Sequence, residues 1–129
     1  MNRKKIVNHK NRNRRSIIFY SALEPKNWDN GVKSGADMFC LDMEDSTSAD
    51  RKDEARKVCL PLFQRNVDRP VVRLVRINSP RSDEGIRDIL AIRQLEAAPD
   101  GVVIPKVTSA NEVQWVSGIL APHHPDLEL

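Results

Sequence analysis

The sequence predicts an α/β fold in which about four βα units form the N-terminal half of a (β/α)₈ barrel. Short apolar runs alternate with helix-like segments along 129 residues, a pattern typical of parallel sheets. Charged residues stand at the C-terminal ends of three of these runs, where barrel enzymes place their sites. A complete barrel needs roughly 250 residues, so we expect the chain to be truncated about half-way round.

The first βα unit begins with the apolar run at residues 17–20. A helix is predicted from Glu24-Pro25, because proline suits the first turn of a helix. Gly35 is expected to end that helix. The second strand, residues 38–41, then leads directly into Asp42.

The second helix is predicted to begin near Asp50. Its apolar residues follow helical spacing and are Ala55, Val58, Cys59, Leu62 and Phe63. Pro61 lies within this pattern and predicts a kink or a split, since proline cannot donate the helical hydrogen bond.

The third and fourth units follow the same alternation. Residues 71–77 are rich in β-branched side chains and form the predicted third strand. The next helix is expected at residues 83–97, with four side chains toward the core: Ile86, Ile89, Leu90 and Ile92. The fourth strand is predicted at residues 102–104, and residues 127–129 are typical of the approach to a fifth strand.

Two further patterns concern the helices. Ser109 and Glu112 stand three residues apart before an apolar run, which predicts a capping box at the start of the fourth helix. Trp28 and Trp115 occupy helical positions. We interpret both tryptophans as packing residues.

Charge divides the chain into two parts. Residues 1–15 carry seven of the 21 basic side chains and none of the 18 acidic ones. We therefore predict a basic, flexible tail at residues 1–13 and a partial barrel domain at residues 14–129. Such a tail can bind nucleic acid electrostatically, but no aromatic residues are interleaved with its charges, and nucleic acid is not an expected partner.

The two cysteines, Cys40 and Cys59, lie in apolar surroundings without metal-ligand spacing. A reduced pair in a cytoplasmic protein is the expected interpretation. No apolar run approaches the ~18 residues of a membrane span, and the N-terminus lacks the apolar core of a signal peptide. A membrane is therefore not an expected partner.

An acidic cluster follows the second strand, with Asp42, Glu44 and Asp45 within four positions. Such crowding needs nearby cations or hydrogen-bond donors. The cluster could hold a divalent ion directly or through water, or orient groups around a metal held elsewhere. An acidic loop that caps the next helix is the alternative, and the spacing alone leaves these interpretations open.

Polar side chains also end the third and fourth strands. Arg76 suits a carboxylate or phosphate ligand, or an ion pair with the carboxylates of the neighbouring strand. Asn78 could bind substrate or hold a turn. Lys106 could stabilise an oxyanion, bind an anionic cofactor or form a Schiff base. Arg73 falls on the opposite strand face from Arg76 by simple alternation, and we interpret it as structural.

Taken together, these motifs resemble the N-terminal half of the HpcH/HpaI aldolase and citrate lyase beta-subunit family. The resemblance extends from about Arg14 to Leu120. It is carried by six segments: Arg14-Arg15-Ser16, Ser34-Gly35-Ala36-Asp37, Leu41-Asp42-Met43-Glu44-Asp45, Lys52-x-x-Ala55-Arg56, Val75-Arg76-Ile77-Asn78 and Asp100-Gly101-Val102-Val103-Ile104-Pro105-Lys106.

The resemblance implies a carbon–carbon lyase acting on a coenzyme A thioester such as malyl-, citramalyl- or citryl-CoA, with Mg²⁺ polarising the keto-acid fragment. Arg76 and Asn78 would bind the substrate. Catalysis would involve Lys106, together with Glu44 and Asp45, which would lie beside the metal, either behind its direct ligands or in contact with it through water. The direct metal ligands, a Glu and an Asp, are expected beyond Leu129, so the chain itself is expected to hold none.

Two outcomes follow from a half-barrel. The chain is one part of a lyase, assembled as a homo-oligomer or completed by a C-terminal half, and has little lyase activity alone. Alternatively, it is a catalytically inactive half-barrel that binds only an anionic ligand or a partner chain. Both outcomes leave the first and fourth strands as open sheet edges.

Overall fold

Four parallel strands lie side by side in chain order in the computed structural model, which describes residues 12–129. They are β1 Ile17–Ser21, β2 Met38–Asp42, β3 Val72–Arg76 and β4 Gly101–Val103. Parallel neighbours require crossover connections, and the order β1-β2-β3-β4 means that each new strand adds on the same side. This confirms the predicted parallel α/β arrangement. Residues 1–11 of the predicted tail lie outside the described residues.

One helix follows each strand: α1 Lys26–Lys33, α2 Lys52–Cys59, α3 Asp83–Arg93 and α4 Ala110–Leu120. Gly35 follows α1 with φ of +79°, a conformation that glycine adopts without strain. A 3₁₀ turn at Ala49–Arg51 precedes α2, and another at Leu60–Gln64 follows it. The second of these contains Pro61, so the predicted split at this proline is confirmed.

The hydrophobic core lies between the sheet and the helices. Phe39 and Leu41 point to the helix side of β2, where both are fully buried. Trp28 of α1 packs edge-on against Phe39 and Phe63, with ring centroids 5.4 and 5.2 Å apart. Such aromatic pairs add to the stabilisation from burial alone, and the packing role predicted for Trp28 is confirmed.

The helices α3 and α4 depart from their predictions in which side chains they bury. Ile86 and Leu90 of α3 are 41% and 45% exposed, and Trp115 of α4 is 44% exposed. The core positions predicted for Ile86 and Leu90 are therefore wrong, as is the packing role of Trp115. The buried face of α3 contains Gly85, Asp88, Ile89 and Ile92 instead, and the helix ends at Arg93 rather than near residue 97.

The second face of the sheet points away from the helices. Ile17 and Phe19 of β1 are 41% and 45% exposed on this face. Cys40, in register with Phe19, is buried, and burial raises the pKa of its thiol to about 12. Cys59 is also buried and free. Both cysteines are thus unreactive thiols in the described chain, in keeping with the reduced pair that we predicted.

Basic side chains pack around the N-terminal ends of the strands. Arg12 donates from Nη1 to the Val71 carbonyl at 2.8 Å and to Asp100 at 2.9 Å. Arg73 pairs with the same aspartate and lies 5.8 Å from the Trp28 ring. This confirms its structural role on the helix side of the sheet. At the far edge, a parallel bridge joins Gly101 to Glu128, as expected for the approach to a fifth strand. Over residues 12–129, no helix combines the length and apolar character needed to cross a membrane.

Candidate functional site

The C-terminal ends of β2, β3 and β4 bring the predicted site residues to one edge of the sheet. Asp42 is in register with Arg76, which is in register with Val103. Chain continuation then places Glu44 and Asp45 beyond β2, and Lys106 beyond β4. Lys52, at the start of α2, reaches the same edge through hydrogen bonds to the Met43 and Glu44 carbonyl oxygens. We call the six residues at this edge the rim: Asp42, Glu44, Asp45, Lys52, Arg76 and Lys106.

The first contact of the rim is a bidentate ion pair. Arg76 donates from Nε and Nη2 to the two carboxylate oxygens of Asp42, at 2.8 and 2.7 Å. The Asp42 side chain is only 4% exposed. The guanidinium also lies 5.2 Å from the Phe19 ring, so one of its faces is covered. The neighbouring-strand ion pair considered from the sequence is therefore present, and Nη1 is the guanidinium nitrogen left for another partner.

The acidity of Asp42 depends on this pair. Burial raises the pKa of Asp42, but hydrogen bonds from Arg76 and from the Glu44 and Ser46 amides outweigh it and hold the pKa below its ordinary value. A carboxyl with a lowered pKa stabilises the fold at pH values above the unfolded pKa. That contribution is lost as the pH falls through the folded pKa.

In Arg76→Met the strongest opposing hydrogen bonds are removed while burial remains. We expect the pKa of Asp42 to rise above its ordinary value. In the variant, the contribution of Asp42 to stability is then present at low pH and is lost as the pH rises through the folded pKa. A ¹³C NMR titration of the carboxyl carbons, run on wild type and variant, measures this change. An Asp42 pKa that stays below the ordinary value in the variant would contradict the assignment.

Lys106 forms the second contact of the rim. Its Nζ lies 2.7 Å from Glu44 Oε2 and 3.3 Å from Asp45 Oδ1. These hydrogen bonds raise the pKa of Lys106, the Glu44 bond contributing most, and the bond from Lys106 lowers the pKa of Asp45. Both groups stay ionised at neutral pH. A protonated, 67% exposed ammonium suits the binding of an anion or oxyanion, and does not support the Schiff-base alternative.

The backbone at Lys106 is unusual for a residue with a side chain. Its φ is +49°, in the left-handed region that costs energy for residues other than glycine. The conformation turns the chain after Pro105 so that the ammonium reaches across to the acidic segment after β2. Strained backbone of this kind is common at functional sites.

Asn78 occupies a different environment from the other predicted site residues. Its backbone N–H and its Nδ2 both donate to Asp88 Oδ2, at 2.7 and 2.8 Å. Asp88 is fully buried and also accepts from Arg56 at 2.8 Å. The amide of Asn78 thus holds the start of the loop after β3, which corresponds to the turn-holding alternative. Contact with substrate through its Oδ1 stays a prediction.

The side chains of residues 12–129 do not form a metal centre. No group of three His, Cys, Asp or Glu side chains within residues 12–129 could hold a metal ion. One buried acceptor nevertheless lacks a hydrogen-bond donor. Glu44 Oε1 is shielded from solvent and accepts no hydrogen bond among the described residues. It lies 3.6 Å from Arg76 Nη1. The rim therefore offers one acceptor and one donor side by side, without a complete set of metal ligands.

Two members of the rim, Asp42 and Lys52, and one residue outside it, Phe19, contribute in ways that were not predicted from the sequence. Asp42 orients Arg76, as described above. Lys52 donates from Nζ to the carbonyl oxygens of Met43 and Glu44, at 3.0 and 2.6 Å. Phe19, outside the rim, covers the guanidinium. Because Lys52 binds backbone carbonyls, the sequence carries no signal for this contact.

Comparison with known proteins gives a consistent result. The family model described as HpcH/HpaI aldolase/citrate lyase matches residues 15–127. The human mitochondrial citramalyl-CoA lyase is 28% identical over 115 residues, 89% of this chain and 34% of that protein. The citrate lyase subunit beta of Escherichia coli K12 is 31% identical over 104 residues, 81% of this chain and 34% of that protein.

A solved structure extends the comparison to the fold. The citrate lyase beta subunit of M. tuberculosis, complexed with oxaloacetate and magnesium, superposes with a TM-score of 0.67 at 25% identity. The match covers 85% of this chain and 46% of that one. It confirms the predicted half of a (β/α)₈ barrel. The chain spans about a third of the length of the curated relatives named above.

Proposed function

This chain belongs to the HpcH/HpaI aldolase/citrate lyase family, and we propose that it supplies one half of a carbon–carbon lyase site. The substrate class is the coenzyme A thioester of a hydroxy di- or tricarboxylic acid, such as malyl-, citramalyl- or citryl-CoA. The single observation that carries the proposal is the convergence of Arg76, Glu44 and Lys106 at one sheet edge, with contacts of 2.7 to 3.6 Å between them.

The reaction places two demands on such a site. Cleavage transfers the proton of the substrate hydroxyl to a base, breaks the bond between the carbinol carbon and its neighbour, and leaves the electron pair on the thioester as an enolate. The carbinol carbon becomes the carbonyl of a keto acid. The site must therefore hold the carboxylate of that keto-acid fragment, and it must stabilise negative charge that develops during bond breaking.

The rim can meet both demands with side chains of this chain. Arg76 Nη1 is positioned to donate to a substrate carboxylate, because Nε and Nη2 are already bound to Asp42. The Lys106 ammonium places positive charge next to the same space. Glu44 Oε1 can accept one hydrogen bond from a substrate hydroxyl or a water. We assign Glu44, Asp45 and Lys106 to catalysis, and Arg76 and Asn78 to substrate binding.

Magnesium enters the proposal only for the complete enzyme. The M. tuberculosis relative is complexed with magnesium, while residues 12–129 of this chain contain no group of three side chains suited to a metal ion. We propose that the direct ligands come from polypeptide that completes the barrel.

The partner of the half-barrel follows from its open surfaces. The exposed Ile17 and Phe19 lie on the face of the sheet that a complete barrel would enclose. We propose that a complementary C-terminal half, or assembly with further copies of the chain, covers this face. We also propose a cytoplasmic location.

The alternative function is an inactive half-barrel that binds an anionic ligand or a partner chain, and the exposed face of β1 is the observation that favours it.

Oxaloacetate is a suitable probe for the proposed site because it carries the keto-acid group and two carboxylates. In an NMR titration with Mg²⁺ present, we expect saturable binding with a dissociation constant on the order of 1 mM. The largest amide shifts should occur at Glu44, Arg76 and Lys106. The neutral dimethyl ester of oxaloacetate, used as the control, should cause none. Shifts confined to residues away from the rim would contradict the assignment.

A further inference from the structure

We propose that Lys52 is a positioning residue of the rim, whose ammonium fixes the main chain that carries Glu44 and Asp45. The inference deepens the proposed function, and rests on it for what the positioned carboxylates do. No described contact joins Lys52 to the space next to Arg76 Nη1. It acts on the site through the peptide groups at the end of β2.

The geometry joins the start of α2 to the segment after β2. Lys52 Nζ lies 3.0 Å from the Met43 oxygen and 2.6 Å from the Glu44 oxygen. Both hydrogen bonds are charge-assisted, which makes them stronger than bonds between neutral groups. They hold two successive carbonyls at the point where the regular strand hydrogen bonding of β2 ends.

A second constraint acts on the same segment from its N–H groups. The Asp42 carboxylate accepts from the Glu44 amide at 2.9 Å and from the Ser46 amide at 3.2 Å. The segment is therefore held from two sides. The buried Asp42 carboxylate binds its N–H groups, and the Lys52 ammonium binds its carbonyl oxygens; we call these contacts the clamp. With the backbone fixed, the nine-tenths buried Glu44 side chain is directed to Lys106 and Arg76.

The position of Lys52 in α2 indicates that its contacts with the two carbonyls explain why a lysine occurs there. The N-terminus of a helix carries partial positive charge and favours acidic side chains, as Asp53 and Glu54 in the same turn show. Lys52, the first residue of α2 directly after the 3₁₀ turn Ala49–Arg51, does not follow that preference. Lys57, on the same helix, makes the ordinary surface pair instead, with Asp53 at 2.7 Å, and its side chain is 75% exposed.

Lys52→Met tests the proposal, and Lys57→Met is the matched control on the same helix. Amide hydrogen exchange measures local opening residue by residue. In Lys52→Met we expect the Glu44 and Ser46 amides to exchange about 10-fold faster, while Leu41 in β2 keeps its wild-type rate. Lys57→Met should change none of the three. Equal acceleration of Leu41, or no acceleration at Glu44 and Ser46, would overturn the proposal.

The same variants are then titrated with oxaloacetate and Mg²⁺. Lys52→Met should bind about tenfold more weakly than wild type, Lys57→Met should bind like wild type, and Lys52→Arg, which keeps its donors, should recover most of the affinity. Wild-type affinity in a Lys52→Met protein whose Glu44 amide exchanges faster would overturn the positioning role. If wild type itself does not bind oxaloacetate, the proposed function fails, and the exchange rates still decide whether Lys52 positions the segment.

Discussion

Asp88→Ala is expected to lower the free energy of unfolding by about 3–5 kcal/mol, the usual effect of breaking a buried ion pair from one side. Asp88 is fully buried and pairs with Arg56, whose side chain is 7% exposed. Burial raises the pKa of Asp88, against the hydrogen bonds from Asn78 and Arg56. The substitution would leave the guanidinium short of one anion, and two buried donors of Asn78 without an acceptor.

Urea unfolding followed by circular dichroism measures this loss. Asp53→Ala is the control, because Asp53 also pairs with a cation of α2 but is 68% exposed. It should leave the free energy of unfolding almost unchanged. If Asp88→Ala does not fold, Asp88→Asn keeps the size of the side chain and should show a smaller loss. Equal losses in the Asp53 and Asp88 variants would contradict the buried network.

Arg76→Lys is expected to weaken oxaloacetate binding by about 10- to 100-fold, which corresponds to the loss of one charge-assisted hydrogen bond. Lysine keeps a positive charge beside Asp42, so the buried carboxylate is not left without a cation. It cannot, however, bind Asp42 through two nitrogens and present a third to a ligand. The expected loss is therefore one of binding rather than of folding.

The measurement is the NMR titration with oxaloacetate and Mg²⁺, with circular dichroism to show that the fold is retained. Arg93→Lys is the control, since Arg93 lies at the end of α3 and donates to His123 at 3.0 Å, outside the rim. It should bind oxaloacetate like wild type. Affinity that is the same in Arg76→Lys as in wild type would remove Arg76 from the site.

Much of the fold was predictable because its signals are local. Apolar runs predicted the bounds of all four strands to within one residue, and Pro61 split the second helix as predicted. The helix α3 shows where local reasoning failed. The buried face of α3 contains Gly85, Asp88, Ile89 and Ile92. A prediction based only on apolar residues placed Ile86 and Leu90 in the core, although both are exposed. A buried aspartate breaks the apolar rule because its partners, Arg56 and Asn78, come from other elements.

Most members of the candidate site were predictable from the sequence, whereas their contacts were not. Strand-end positions were sufficient to bring Glu44, Asp45, Arg76 and Lys106 to one edge of a parallel sheet. The clamp by Lys52 was not predictable, because it binds backbone carbonyls, which carry no sequence signature. The same holds for the left-handed backbone at Lys106, which occurs at a residue type that seldom adopts it.

The proposed half-site is tested most directly by the intact mass of the polypeptide from its native source and by its cleavage of malyl-, citramalyl- and citryl-CoA with Mg²⁺. We expect a barrel of roughly 250 residues, or this chain with a complementary partner, that cleaves at least one of these thioesters, while the 129-residue chain alone cleaves none appreciably. A native product that ends at Leu129, purifies without a partner and cleaves none of them would contradict a lyase and establish the inactive half-barrel. Rapid turnover by the isolated chain would contradict the half-site.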